Sequence, residues 1–183
     1  MKSQKLKILM MGPSESGKTL ISNIISESTN NEELGTQRPT QGVRILEFDT
    51  SVMTHSGNNI KIDIELWDCS GDHKFESCWP ALRAGADGVI LVCSPNTASV
   101  ASRELELFYN YFVSQPKLTS KQCVVFYNNL EDQDDFDLLN LSSTFSRVSR
   151  ATVNLKTGRD RLKTDFNNFV VSVVQSTHRE DIN

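Results

Sequence analysis

The segment Gly12-Pro13-Ser14-Glu15-Ser16-Gly17-Lys18-Thr19 constrains the fold of this chain most strongly. It fits the pattern G-x-x-x-x-G-K-[ST] at every fixed position, and this pattern forms a loop whose backbone N–H groups surround phosphates. An apolar run at residues 6–11 precedes the loop, and apolar residues at helical spacing follow it. The N-terminus of such a helix attracts anions. The pattern therefore predicts phosphate contacts from Gly12, Ser14, Glu15, Ser16, Gly17, Lys18 and Thr19.

Two further segments carry oxygen ligands for a metal ion. Asp68 follows an apolar strand and precedes Gly71 by three positions. Its carboxylate is therefore placed to hold Mg²⁺, directly or through water, while the Gly71 N–H approaches a terminal phosphate. Thr40 lies in the loop after the first helix, where its hydroxyl is expected to complete the metal shell and sense the γ-phosphate. Because Mg²⁺ prefers oxygen ligands, the predicted metal ligands are Thr19, Thr40 and Asp68.

Composition and charge exclude several classes of protein. The chain has 183 residues, of which 38% are hydrophobic and 23% charged, so we expect residues 1–183 to form a single globular domain. A net charge of −4 argues against a general nucleic-acid binder. No apolar stretch is long enough to cross a bilayer and neither terminus carries a lipidation signal, so we expect no direct membrane anchor. The four cysteines lack C-x-x-C pairing and are expected to be reduced in the cytosol.

Strand and helix patterns alternate along the chain. Apolar residues within 43–48 and a clean alternation over 60–66 flank turn residues at 56–59, which predicts a hairpin and one antiparallel edge on a parallel sheet. Further strands are predicted at 89–93, 123–127 and 151–155, and helices at 81–84, 98–113 and 162–173. A short helix is predicted within 128–149. This order predicts a doubly wound α/β fold with its ligand at the carboxyl ends of the strands.

Together these motifs carry a resemblance to a known family. The phosphate loop, Thr40 and residues 67–71 are spaced like the phosphate loop and two switch regions of Ras-superfamily small GTPases, and residues 83–92 look Rab-like. More narrowly, residues 38–48, 65–69 and 74–82 resemble the Rab-like subunit family of intraflagellar transport complex B, also called the Rab-like protein 5 family. The resemblance implies the P-loop small-GTPase fold: a six-stranded, mostly parallel sheet with one antiparallel edge strand and helices on both faces.

The same resemblance implies ligands, partners and a location. The ligands are GTP or GDP with Mg²⁺, and the partners are coiled-coil subunits of intraflagellar transport complex B, namely the pair of subunits 74 and 81. The location is the cilium or flagellum and its basal body, with a cytoplasmic pool. The main hypothesis is a Rab-like subunit that binds Mg-GTP, hydrolyses it weakly or not at all, and docks on coiled-coil partners. A regulatory GTPase that cycles with helper proteins is the alternative, and a P-loop small-molecule kinase is a weaker one.

Asp72 departs from the pattern of hydrolysing small GTPases. Those enzymes typically have a glutamine after the switch glycine, and its amide orients the attacking water. Aspartate is shorter, accepts hydrogen bonds only when ionised, and adds negative charge beside the γ-phosphate. Asp72 is therefore the candidate residue at the catalytic position, and we expect slow hydrolysis.

The segments that would bind the base are degenerate. Where Asn-Lys-x-Asp is expected, the chain has Asn128-Asn129-Leu130-Glu131-Asp132. Either Asn128 with Glu131 or Asn129 with Asp132 could bind guanine, but neither alignment supplies the lysine. Residues 154–158 resemble a degenerate Ser-Ala-Lys loop, in which Lys156 either packs its stem on the purine or is a surface lysine.

Other conspicuous side chains form no clear site. Phe75 and Trp79, in the second switch, are either core residues or a partner-binding patch. The three histidines share no metal-binding or catalytic spacing and are expected at the surface. The acidic run at residues 131–135 lacks the glycine and glutamate of a calcium loop, so we expect a solvated loop.

Overall fold

The part of the chain that the structure describes contains six strands and four α-helices. This computed structural model describes residues 4–27, 38–54, 57–129 and 139–180. The strands are β1 (Gln4–Met11), β2 (Val43–Met53), β3 (Asn59–Cys69), β4 (Gly88–Cys93), β5 (Cys123–Asn128) and β6 (Ser149–Val153). The helices are α1 (Lys18–Ile25), α2 (Trp79–Arg83), α3 (Ala98–Tyr109) and α4 (Arg159–Glu180).

The strands form one sheet in the order β2-β3-β1-β4-β5-β6. Strand β2 pairs antiparallel with β3 over the whole hairpin, from Val43 opposite Cys69 to Met53 opposite Asn59. The other pairs, β3 with β1, β1 with β4, β4 with β5 and β5 with β6, are parallel. The predicted sheet with a single antiparallel edge strand is therefore confirmed. The connection from β3 to β4 crosses over β1, so the chain lies on one side of β1 before this connection and on the other side after it. The loop after β1 therefore lies at the middle of the carboxyl edge of the sheet.

Two apolar layers cover the sheet, one on each face. Leu6, Ile8 and Met10 of β1 pack in one layer with α1 and α4, whereas Leu9 and Met11 pack in the other with α2 and α3. Side chains of successive strand residues point to opposite faces, so this division shows that helices cover both. All six residues of β4 are buried, as expected for a parallel strand between two helical layers.

The predicted last strand and its neighbours differ from the observed structure in detail. Strand β6 ends at Val153 rather than Leu155, because the Asn154 side chain accepts hydrogen bonds from the N–H groups of Lys156 and Thr157 and turns the backbone. Helix α3 ends at Tyr109 and continues as a π turn over Asn110–Ser114. Where a short helix was predicted, a 3₁₀ turn spans Ser143–Arg147, and residues 130–138 lie outside the described part of the chain.

Trp79 is a core residue. It is buried at the start of α2, and its ring packs against Phe108, Tyr111 and Phe112 with centroids 5.2 to 5.6 Å apart. Phe75 is half-buried. The core alternative is therefore the correct interpretation for Trp79.

Two further expectations concern cysteines and membrane spans. All four cysteines are free, and Cys69, Cys93 and Cys123 are buried while Cys78 is exposed. Among the described helices, none combines the length and the hydropathy that a bilayer crossing requires.

Candidate functional site

The phosphate loop connects β1 to α1 at the carboxyl edge of the sheet. Gly12 follows the last residue of β1, and Gly17 precedes the first residue of α1. Both glycines have a positive φ, 153° for Gly12 and 95° for Gly17, which side chains rarely adopt. A Cβ at Gly12 would overlap the Val92 carbonyl oxygen, and one at Gly17 would overlap the Asn128 amide nitrogen. The backbone thus needs glycine at both fixed positions of the motif.

Lys18 turns back over this loop. Its side chain is buried, with 6% of the residue exposed, and its Nζ donates to the carbonyl oxygens of Gly12, at 2.9 Å, and Pro13, at 2.7 Å. Burial lowers the pKa of Lys18 to about 8, and the nearby Asp68 carboxylate opposes this effect. The ammonium group is therefore held inside the loop, where the motif predicts phosphate oxygens.

Thr19, Thr40 and Asp68 converge beside Lys18. The Thr19 hydroxyl donates to Asp68 Oδ2 at 2.8 Å, and the Thr40 hydroxyl lies 2.8 Å from that of Thr19 and 3.4 Å from Asp68 Oδ2. Asp68 is fully buried, and its Oδ1 has no hydrogen-bond partner among the described residues. Burial raises the pKa of Asp68, while hydrogen bonds and nearby cations lower it. The three predicted metal ligands thus share one small polar cluster.

Gly71 lies directly against the phosphate loop. A Cβ at this position would overlap the Ser14 nitrogen, the Gly12 oxygen and the Pro13 carbonyl carbon, so only glycine allows the two backbones to approach this closely. The neighbouring Ser70 N–H donates to the Gly42 carbonyl oxygen at 2.8 Å. The loop after β3 is therefore positioned against both the phosphate loop and the segment that precedes β2.

Asp72 caps the 3₁₀ turn that follows. Its carboxylate accepts from the Lys74 N–H at 3.0 Å and forms an ion pair with Lys74 Nζ at 3.0 Å. The Lys74 backbone N–H is the main cause that lowers the pKa of Asp72. The carboxylate is thus occupied as an N-cap one residue beyond Gly71, and its place at a catalytic position remains a prediction.

Asn128 ends β5 beside the phosphate loop, and Asn129 follows the strand. The Asn128 Nδ2 donates to the Ser16 carbonyl oxygen at 3.2 Å, while its Oδ1 is buried without a hydrogen-bond partner among the described residues. The Asn129 N–H donates to the Val153 carbonyl oxygen, which places the turn at Asn154 and the exposed Lys156 next to β5. The other predicted base-binding residues, Glu131 and Asp132, lie outside the described residues.

Arg44 belongs to this cluster, although no motif singled it out. Its Nη2 lies 3.4 Å from Asp68 Oδ2 and donates to the Asn23 side-chain oxygen on α1. The signal was present in the predicted hairpin, because residues paired across antiparallel strands share a face, and Arg44 stands directly opposite Asp68. The pairing register was needed to use that signal.

Comparison with known proteins identifies the family. Residues 7–131 match the family described as Ras of Complex, Roc, domain of DAPkinase. The chain is 39% identical over 173 residues to the Intraflagellar transport protein 22 homolog of Homo sapiens, covering 94% of this chain and 91% of that protein. It is 36% identical over 184 residues to the homolog of Danio rerio, covering 97% of each.

A solved structure has the same fold. The T. brucei IFT22/74/81 GTP-bound crystal structure contains a chain that superposes with a TM-score of 0.78 at 24% sequence identity, covering 97% of this chain and 99% of that chain. The resemblance drawn from residues 38–48, 65–69 and 74–82 is thus confirmed over most of the sequence. The chain belongs to the intraflagellar transport protein 22 family, and its residues 7–131 match the Ras-like Roc family.

Proposed function

We propose that this chain binds GTP together with Mg²⁺, retains it with little or no hydrolysis, and serves as a Rab-like subunit of intraflagellar transport complex B. The convergence of Thr19, Thr40 and Asp68 beside the buried Lys18 carries the proposal. Three segments that are far apart in sequence thus bring oxygen atoms to one point at the phosphate loop. The related T. brucei structure is described as GTP-bound, which supports the same ligand here.

The residues of this cluster fit Mg²⁺. Their donor atoms are two hydroxyl oxygens and a carboxylate, which are the ligands that this hard cation prefers. Asp68 Oδ1 is buried without a hydrogen-bond partner among the described residues, so a ligand that engages it would remove a cost of burial. We propose that Thr19 and Thr40 hold the ion and that Asp68 holds it directly or through water. Bound Mg²⁺ would neutralise oxygens of the β- and γ-phosphates.

The phosphates and the base would be held by the remaining predicted residues. The loop backbone from Gly12 to Lys18 and the Gly71 N–H would surround the phosphates, with the Lys18 ammonium among them. For guanine we propose Asn128 with Glu131 or Asn129 with Asp132, with Lys156 beside the ring. The contact from Asn128 to Ser16 supports the first pairing, because it ties the base-binding strand to the phosphate loop.

Slow hydrolysis follows from the chemistry of Asp72. Its carboxylate caps a turn and pairs with Lys74, so it is occupied by contacts other than an attacking water. It also has no N–H to donate, unlike the glutamine of hydrolysing enzymes. We therefore propose that bound GTP acts mainly as a structural ligand.

Partners and location follow from the relatives. The T. brucei structure is a complex of IFT22, 74 and 81, and we propose that this chain docks on the corresponding coiled-coil subunits 74 and 81 in the cilium or flagellum. We further propose a basal-body and a cytoplasmic pool. A regulatory GTPase is the second candidate, because Thr40 contacts Thr19 and Asp68 and would report the presence of a γ-phosphate.

The deciding experiment identifies the nucleotide. Protein purified without added nucleotide is denatured, and the released nucleotide is analysed by chromatography. The stripped protein is then titrated calorimetrically with GTP, GDP and ATP in Mg²⁺. We expect guanine nucleotide to be released and GTP to bind tighter than ATP. The proposal fails if no nucleotide binds and none raises the melting temperature, and rapid GTP loss without helpers would favour the regulatory GTPase.

A further inference from the structure

Arg44 contacts the Asp68 carboxylate, yet the binding of Mg-GTP proposed above gives it no role. The guanidinium lies 3.4 Å from Asp68 Oδ2 and is held from the other side by Asn23. Both Asn23 and Asp68 are buried, and 39% of the Arg44 side chain is exposed. One cation therefore joins β2, β3 and α1 directly behind the cluster of predicted metal ligands.

The charge of Asp68 needs such a cation. A buried carboxylate without a partner is strongly unfavourable, and Asp68 is fully buried. Lys18 is close, but its ammonium donates to loop carbonyl oxygens rather than to this carboxylate. Within residues 4–27, 38–54, 57–129 and 139–180, Arg44 makes the only ion pair with Asp68. Arg44 is thus the counter-ion of the carboxylate in this arrangement.

We propose that Arg44 is a positioning residue that substitutes for the charge of Mg²⁺ at Asp68 when the ion is absent and opposes Mg²⁺ when it binds. The inference rests on the proposed function. A divalent cation and a guanidinium that share one carboxylate repel each other. Arg44 therefore stabilises the metal-free site and raises the Mg²⁺ concentration that nucleotide binding requires.

Two measurements on matched variants test this proposal. Arg44→Gln removes the cation, Arg44→Lys keeps it, and Arg103→Gln removes the same charge from an exposed position on α3. The first measurement is the melting temperature of nucleotide-free protein in EDTA. The second is the Mg²⁺ concentration that gives half of the maximal GTP affinity in calorimetric titrations.

We expect Arg44→Gln to lower both measurements, so that the metal-free protein becomes less stable while Mg²⁺ binds more readily. It should lower the melting temperature in EDTA, because Asp68 loses its counter-ion. It should also lower the half-maximal Mg²⁺ concentration about threefold to tenfold, a modest shift because solvent screens the half-exposed guanidinium. Arg44→Lys should stay within about twofold of the parent protein in Mg²⁺ requirement, and Arg103→Gln should change neither measurement.

Each other outcome overturns the inference in a recognisable way. If Arg44 has only a structural role, Arg44→Gln will lower the melting temperature and leave the half-maximal Mg²⁺ concentration unchanged, or raise it. If Arg44→Gln does not fold, Arg44→Lys decides, since a tenfold fall in Mg²⁺ requirement with the cation retained contradicts the proposal. If the parent protein binds no GTP at any Mg²⁺ concentration, the proposed function itself fails; if the parent binds and Arg44→Gln has the same requirement, only the inference fails.

Discussion

The hydroxyl oxygens of Thr19 and Thr40 lie 2.8 Å apart, although 21 positions separate the two residues in sequence. Thr19 belongs to the first turn of α1, and Thr40 lies in the segment that leads into β2. Both hydroxyls also contact Asp68 Oδ2. The contact couples the phosphate loop to the start of the hairpin, so a ligand at this point would set the position of the Thr40 segment.

Replacing Thr40 with alanine should therefore distinguish GTP from GDP. The variant keeps the phosphate loop and Thr19, so we expect GDP affinity to be unchanged. GTP affinity should fall about tenfold, because the Thr40 hydroxyl is lost as a hydrogen-bond partner or metal ligand at a charged group. Calorimetric titration with each nucleotide in Mg²⁺ measures both values, and Thr164→Ala, at an exposed hydroxyl on α4, is the control. Equal losses for GDP and GTP would count against a γ-phosphate contact.

Lys18→Ala should abolish tight binding of either nucleotide. The Lys18 ammonium is already inside the loop, 2.7 to 2.9 Å from two carbonyl oxygens. It can therefore pair with phosphates at little cost in side-chain conformational entropy. Loss of charge-assisted hydrogen bonds should weaken binding about a hundredfold or more. The test is calorimetry with GTP and GDP, with the exposed Lys121→Ala as control. Normal retention of GTP by Lys18→Ala would place the phosphates elsewhere.

The sequence predicts those parts of the site that depend on local motifs. Gly12, Gly17 and Lys18 occupy their positions because a loop between a strand and a helix dictates the local backbone. Asp68 could be placed in the same way, because it lies near the end of a strand whose alternation is clear. The sheet order then brings Thr19 and Asp68 together, and that order follows from the alternation of strands and helices.

Contacts that depend on side-chain pairing could not be predicted in this way. The ion pair of Arg44 with Asp68 depends on the register of the β2–β3 hairpin, and a shift of one residue would put Arg44 on the other face. The end of β6 depends on whether Asn154 continues the strand or bonds to the backbone of Lys156 and Thr157. Asn favours the turn, but the apolar Leu155 beyond it favoured a longer strand.

Asp72→Gln should raise the rate of GTP hydrolysis. The glutamine amide can both donate and accept at the attacking water, and the substitution removes a negative charge beside the γ-phosphate. Asp72→Asn is the matched control, because it also removes the charge and keeps a side chain that can cap the turn at Lys74. Single-turnover hydrolysis without helper proteins gives the rates. We expect Asp72→Gln to be the fastest; an unchanged rate would show that residue 72 does not limit hydrolysis.

His73 should make the stability of this segment depend on pH. Its Nε2 lies 2.8 Å from Glu104 Oε2 on α3 and its Nδ1 lies 3.7 Å from Glu76, and the hydrogen bond to Glu104 raises the pKa of His73. A group whose pKa is higher in the folded state contributes stability that is complete below its unfolded pKa, about 6.5, and is lost as the pH rises through the folded value. The melting temperature of the parent protein minus that of His73→Gln should therefore be largest below about pH 6.5 and shrink as the pH rises above that value. Thermal melts from mildly acid to mildly alkaline pH measure this difference.

Glu104→Gln should remove the same pH dependence, because it removes the carboxylate that pairs with the protonated ring. A difference in melting temperature that stays constant across the pH range would show that the contact involves the neutral ring alone.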